Sequence, residues 1–306
     1  MKISFLIPCY NEQENVVPLS EAILEQVGKL EKEYDYELIF IDNCSTDNTR
    51  PLLEELCAGN PKIKAIFNAR NFGQFSSPFH GVLQTSGDCT ITMCADFQDP
   101  PEMIPELVKA WEEGHKVVCA VKTQSKENGF VRFLRSIYYK LVHKYSDVKQ
   151  IEHFTGTGLY DKSFVDVLKT LDDPAPFMRG IVAELGFKMI EVPYTQQKRR
   201  AGKTHNNFHT LYDAAWLSFT QYTKFPIRMA SAFGAVFTGL GFLGGIACTV
   251  LGILGKNVLL PAIFSGFGFF SGLTWIFIGI LGEYLLNVKT KVNHRPLVIE
   301  EKRINF

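Results

Sequence analysis

Between Arg228 and Lys256 the chain carries no charged residue, and between Lys256 and Glu283 it again carries none. At ~1.5 Å per residue each block is roughly 40 Å long as a helix, against a hydrocarbon core of ~30 Å. Lipid offers no partners to backbone N–H and C=O groups, so an uncharged run of this length either crosses a bilayer as helix or is buried in protein. The pattern predicts two transmembrane helices, tilted or extending into the interface. Gly255-Lys256-Asn257 is too short to be more than a hairpin connection. Lys224 and Arg228 precede the pair, while Lys289, Lys291 and Arg295 follow it. Positive flanks of this kind place both ends on the cytoplasmic side. Gly241/Gly245 and Gly268/Gly272 are small-xxx-small pairs. They permit close helix packing, within the hairpin or between copies in a homo-oligomer. A hairpin buried in a globular core is the alternative.

Upstream of the hairpin the sequence alternates strand and helix patterns. Apolar runs at 2–8, 36–42, 63–67, 88–94 and 116–121 read as strands, with helical spacing between them. That order predicts an α/β fold, a mostly parallel sheet covered by helices on both faces. The opening run is too short for a signal peptide and reads as the first strand. Three strands end in polar turns: Tyr10-Asn11-Glu12, Asp42-Asn43-Cys44-Ser45 and Asp96-Phe97-Gln98-Asp99. In an open sheet such turns lie along one edge and can build one site. No Gly-x-Gly-x-x-Gly follows the first strand and no Walker loop occurs, which argues against a dinucleotide dehydrogenase or an ordinary NTPase. Lys+Arg and Asp+Glu each number 32, for a formal net charge of zero, so nothing global points to nucleic acid. The seven cysteines are odd in number and show no Cys-x-x-Cys spacing, as expected of reduced thiols in a cytosolic domain.

The stretch Ala95-Asp96-Phe97-Gln98-Asp99-Pro100-Pro101-Glu102 follows one of these strands. Asp96 and Gln98 can hold a hard divalent cation, Mg²⁺ or Mn²⁺; an Asp-capped turn stopped by Pro-Pro is the other reading. Lys198, Arg199, Arg200 and Lys203 form a basic cluster suited either to a phosphate clamp or to attraction of anionic lipid. Residues 129–145 and 205–223 are basic, aromatic and helically spaced, a pattern that lies on an anionic membrane surface or packs on a sheet.

Together these pieces resemble the family-two inverting glycosyltransferases, in their polyprenyl-phosphate branch. The resemblance rests on Ile7-Pro8-Cys9-Tyr10-Asn11-Glu12, on the 42–47 turn, and on the Gln-Asp-Pro-Pro-Glu ending at Glu102. Arg179-Gly180, Gly186-Phe187 and Arg200-Ala201-Gly202-Lys203-Thr204 resemble later motifs of that branch, and a C-terminal hairpin matches its bacterial members. The resemblance implies a GT-A fold, a UDP-sugar donor, a polyprenyl phosphate acceptor and a divalent cation, at the cytoplasmic face of the membrane. It implies that Pro8, Tyr10, Glu12 and Asp42 meet the base and ribose, with Asn43 also substrate-binding. Asp96 and Gln98 would hold the metal. Arg70, Ala95, Arg179, Arg199, Arg200, Lys203 and Thr204 would line the substrate site, and Asp96, Asp99 and Arg200 would be the catalytic candidates. The expected organisation is a catalytic domain over 1–203, a juxtamembrane helix over 204–228, the hairpin over 229–286 and a basic tail over 287–306.

The sequence departs from the family pattern in places. Asp-x-Asp reads Cys94-Ala95-Asp96, Asp-Asp-Gly-Ser reads Asp42-Asn43-Cys44-Ser45, and the region expected to carry an acid reads Thr155-Gly156-Thr157-Gly158-Leu159. A second reading therefore stays open, a non-catalytic relative that binds nucleotide-sugar or scaffolds a complex. GDP-mannose is an alternative donor.

Overall fold

The computed structural model describes residues 1–124, 151, 153–173, 175–201 and 296–306, with scattered positions between 253 and 288. The helix expected over 129–145, the juxtamembrane helix, nearly all of the hairpin, and both Lys203 and Thr204 lie outside the described residues. Among the described residues no helix is long and apolar enough to cross a membrane.

The eight strands are β1 (Lys2–Cys9), β2 (Asp35–Asp42), β3 (Ile63–Asn68), β4 (Cys89–Thr92), β5 (Val117–Gln124), β6 (Phe154–Asp161), β7 (Met189–Thr195) and β8 (Glu300–Ile304). They form one sheet in the order β7-β5-β6-β4-β1-β2-β3-β8. β4, β1, β2 and β3 are parallel. β6 runs antiparallel to both β4 and β5, and β8 antiparallel to β3, so the sheet is mixed rather than simply parallel. β8 belongs to the stretch read from sequence as a basic tail. Its five residues show no apolar alternation, since they are held by an edge and not by a core.

Among the described residues six α-helices cover the sheet: α1 (Val16–Gly28), α2 (Thr49–Gly59), α3 (Gly73–Leu83), α4 (Ile104–Glu112), α5 (Lys162–Leu168) and α6 (Met178–Glu184). The period of two along each strand divides the apolar residues between two cores. Leu38 and Phe40 of β2 pack with α1, α2 and α4, whereas Ile39 and Ile41 pack with α3, α5 and α6. A strand buried on both faces tolerates few polar side chains. β1 and β2 are accordingly mostly apolar, and the buried polar residues near their starts, Ser4 and Glu37, are hydrogen-bonded to each other at 2.6 Å.

β4 ends two residues before the expected Cys94, because the Cys94 N–H is claimed by the Asp99 carboxylate at 3.2 Å instead of by a neighbouring strand. The glycines of the 155–159 run have a backbone reason. A Cβ at Gly158 would stand 2.2 Å from the Val118 carbonyl oxygen, and Gly156 has φ +97°, a region costly for other residues. The run is strand β6 pressed against β5.

Candidate active site

The carboxyl ends of β1, β2 and β4 present three loops along one edge of the sheet. Each carries one non-glycine residue in left-handed backbone: Asn11 at φ 56°, Cys44 at 66° and Phe97 at 60°. Asn takes this conformation readily, but Cys and Phe pay for it, and such strain collects at functional sites.

Hydrogen bonds knit the first two loops together. The Asn11 N–H donates to Ser45 Oγ at 2.8 Å, the Thr46 N–H donates to Asn11 Oδ1 at 2.8 Å, and the Glu12 N–H donates to Thr49 Oγ1 at 2.9 Å. Asp42 is wholly buried at the end of β2. It accepts from the Ser45 N–H and from Arg50 Nε, the latter at 2.8 Å. Asn43 is saturated. Its Oδ1 accepts from the Phe72 N–H and from Asn68 Nδ2, while its Nδ2 donates to Asn71 Oδ1 and the Gly73 carbonyl. Asn43 therefore shapes the 68–73 loop. In that loop the Arg70 guanidinium lies 4.0 Å from the Phe72 ring centroid. Arg179, at the start of α6, stands over Phe177, whose ring packs edge-on against Phe75 of α3. Pro8 closes β1 one residue before its end, and Tyr10 is half-buried beside it.

The acidic loop meets the basic segment read separately in the sequence. Two backbone bonds lay the segment on the loop, from the Gln197 N–H to the Gln98 carbonyl at 3.2 Å and from the Arg200 N–H to the Asp96 carbonyl at 3.3 Å. Arg199 then reaches Asp96 Oδ2 at 2.8 Å and Glu12 Oε1 at 3.6 Å. Arg200 turns the other way, with its guanidinium 5.1 Å from the Phe97 ring centroid. Asp96 and Glu12 are both held above the usual carboxylate range. Burial is the main cause for each, and Arg199 opposes it. The proximity of Asp96 also raises Glu12. Ala95 is buried beneath the loop, and Cys94 is exposed at its root.

Asp99 has a different occupation from the catalytic one expected. It is buried, and accepts from Tyr194 Oη at 2.6 Å, Thr157 Oγ1 at 2.8 Å and the Cys94 N–H. With both oxygens taken by β6, β7 and its own loop, it anchors the acidic loop to the sheet. Tyr194, Arg50 and Asn68 were absent from the sequence reading. Each lies inside a strand or helix pattern that signals packing, and nothing in local spacing marks its partner.

Residues 4–168 match the model of the glycosyl transferase family 2. The chain belongs to glycosyltransferase family 2. An uncharacterized glycosyltransferase of Bacillus subtilis (strain 168), YkcC, is 34% identical over 245 residues, spanning 79% of this chain and 75% of that one. The prophage bactoprenol glucosyl transferase homolog of Escherichia coli (strain K12) is 31% identical over 246 residues, 80% of each chain. The undecaprenyl-phosphate 4-deoxy-4-formamido-L-arabinose transferase of Proteus mirabilis (strain HI4320) is 30% identical over 255 residues, 83% of this chain and 77% of that one.

Family 2 glycosyltransferases of this kind commonly use a divalent cation, so the donor set of this one bears on whether a cation fits. Among the described residues no three His, Cys, Asp or Glu side chains converge on one point. Among the described residues two buried carboxylates nevertheless face one guanidinium, that of Arg199, which leaves that group one charge short. Asp96 Oδ1 accepts from the Gln98 N–H of its own loop, at 3.1 Å. One carboxylate and an amide, all oxygen donors, suit a hard cation that takes its other ligands from diphosphate and water. The residues fit.

Proposed function

We propose that this glycosyltransferase moves glucose from UDP-glucose to undecaprenyl phosphate, with inversion at the anomeric carbon, at the cytoplasmic face of the membrane. The reading is carried by the bactoprenol glucosyl transferase homolog, alike over 80% of both chains. The Proteus transferase, whose name specifies undecaprenyl phosphate, supports the acceptor class. The charge-free hairpin and its positive flanks support the membrane setting and the side.

An oxygen of the acceptor phosphate attacks the sugar's anomeric carbon as the bond from that carbon to the diphosphate oxygen breaks. UDP leaves. A phosphate monoester has a second pKa near 6, so the acceptor is largely dianionic near neutral pH and attacks without giving up a proton. That removes the need for a general base, and agrees with Asp99 being engaged and β6 carrying no acid at the run 155–159. Asp96 and Gln98 would hold Mg²⁺ or Mn²⁺, which neutralises the charge growing on the departing diphosphate when bound. The loops of Tyr10, Glu12 and Asp42 hold the nucleoside end. Arg199 and Arg200 supply fixed positive charge on the phosphate side, Arg199 also keeping Asp96 aimed.

The test is transfer of radiolabelled sugar to undecaprenyl phosphate by the full chain in lipid vesicles, over a panel of UDP-glucose, other UDP-sugars and GDP-mannose. Lipid-linked product from UDP-glucose, abolished by EDTA and restored by Mn²⁺, is expected. Product from GDP-mannose alone would overturn the donor. UDP-sugar binding without lipid-linked product from any donor would overturn the activity in favour of a scaffold.

A further inference from the structure

The last strand of the sheet comes from the far side of the segment read as a membrane hairpin. β8 pairs antiparallel with β3, Ala65 opposite Ile304 and Phe67 opposite Lys302. A short strand that merely blunts an edge needs only its backbone ladder. This one is fastened through its side chains to helices on both faces. Glu300 meets His80 Nε2 of α3 at 2.5 Å, Arg303 donates to Gln84 at 2.9 Å, and Lys302 pairs with Glu54 of α2 at 2.7 Å. Beyond the strand, Asn305 Nδ2 donates to the carbonyls of Cys57 and Ile63, both at 2.7 Å.

One of these contacts leads into the site. Glu301 Oε2 accepts from an Arg50 terminal nitrogen at 2.9 Å. The same guanidinium gives its Nε to Asp42 at 2.8 Å and its other terminal nitrogen to the Asn68 carbonyl at 2.8 Å. Its plane also lies over the Phe67 ring, 5.4 Å from the centroid. Arg50 is thus a three-way fork across the ends of β2, β3 and β8. Asn68 in turn donates from Nδ2 to Asn43, which carries the 70–73 loop. From Glu301, Arg50 leads directly to Asp42, and through Asn68 and Asn43 to the 70–73 loop.

We infer that β8 is a positioning element of the donor site: Glu301 orients Arg50, and Arg50 orients Asp42 and the end of β3. This rests on the reading that the 42–45 loop takes the nucleoside of the donor. A planar fork with three fixed donors specifies direction as well as charge, which a lysine in its place does not. Because β8 follows the hairpin in the chain, the donor loops are completed only after the chain has returned from the far end of that segment. Donor binding is thereby tied to a fully assembled protein.

The experiment uses the full chain in vesicles and four variants, Arg50→Lys, Glu301→Ala, Lys302→Ala and Asp42→Asn. The readouts are UDP affinity by calorimetry, KM for UDP-glucose, KM for undecaprenyl phosphate, kcat and a thermal melt. Arg50→Lys is expected to raise donor KM and UDP Kd about tenfold, with kcat and acceptor KM within about twofold, the pattern of lost ground-state binding. Glu301→Ala, at a half-exposed pair, should raise both about two- to fivefold. Lys302→Ala breaks an equally short ion pair on the same strand and should leave them unchanged. Equal effects from Glu301→Ala and Lys302→Ala would reduce β8 to an edge cover and overturn the inference. So would a donor KM that rises in Asp42→Asn but not in Arg50→Lys. A donor affinity indifferent to Asp42→Asn would instead overturn the reading of the 42–45 loop itself, and the inference with it. The melt separates any of these from loss of fold.

Discussion

Glu37, near the start of β2, and the Glu12–Asp96 pair, beyond the ends of β1 and β4, are all buried, at opposite edges of the same sheet. Their relative exposures are 1%, 9% and 5%. Their surroundings push them in opposite directions. Burial raises Glu37, but Lys2, Lys64, Ser4 Oγ and the Ser86 N–H outweigh it and bring it down from 4.5 to about 2. Lys2 and Lys64 each lie 2.8 Å from Glu37 Oε2. Among the described residues Glu12 and Asp96 share one arginine between two carboxylates, and burial wins at both. A structural carboxylate is oversupplied with positive charge, whereas the pair at the cleft is undersupplied. Under the proposed function, the further cation and the donor's diphosphate would make up that shortfall.

The sharpest way to break this comparison is Asp96→Asn. It removes the carboxylate that is short of charge, in a loop beyond the end of β4, so transfer should fall roughly 10²–10³-fold while the fold holds. Radiolabelled transfer together with circular dichroism checks it, and turnover near the parent's would sink the cation assignment.

Glu37→Gln should do the reverse, leaving two lysines without their carboxylate and costing about 3 kcal/mol in stability with little change in kcat. Chemical denaturation reads this. The pH dependence has a definite sign. A carboxyl held below its ordinary value contributes stability that is complete above pH 4.5 and declines as pH falls toward about 2. Glu37→Gln should therefore flatten the acid limb of the stability curve between those values.

Asn43→Asp restores the acid of the family pattern, but a carboxylate cannot donate to Asn71 Oδ1 and the Gly73 carbonyl. A cost of about 1–3 kcal/mol is expected, with a higher KM for the donor, measured by denaturation and steady-state kinetics. The smallest effect belongs to Glu12→Gln. It keeps an acceptor for Asn15, now 2.6 Å away, and removes a charge that burial disfavours. The melting temperature should stay level or rise by a few degrees, a change of under about 1 kcal/mol. A marked fall would mean that Arg199 depends on Glu12 more than 3.6 Å suggests.

Much of this was legible in the residues. β1 to β4 and their polar turns announce themselves because a doubly covered parallel strand favours apolar and β-branched residues, and the turn that follows holds few of them. The acidic loop and the basic cluster were each visible, for the same local reason. What could not be read was that Arg199, and not Arg200, would bridge Glu12 and Asp96, since adjacent residues point apart and nothing local says which way. Asp99 looked like a spare catalytic carboxylate, yet Tyr194, 95 positions away, takes one of its oxygens. β8 gave no strand signal at all, because an edge strand wedged between two helices is selected by its partners' charges.

By itself, then, the order of residues determined the alternation of strand and helix, the edge of the sheet where chemistry would gather, and the two charge-free blocks, because periodicity and charge are properties of neighbours in the chain. The tertiary structure decided which carboxylates were oversupplied and which undersupplied, which arginine bridges and which stacks, and that residue 301 reaches residue 42 through Arg50. Those depend on distances between groups far apart in sequence, and the energy of a buried charge is set by what stands within a few ångströms of it.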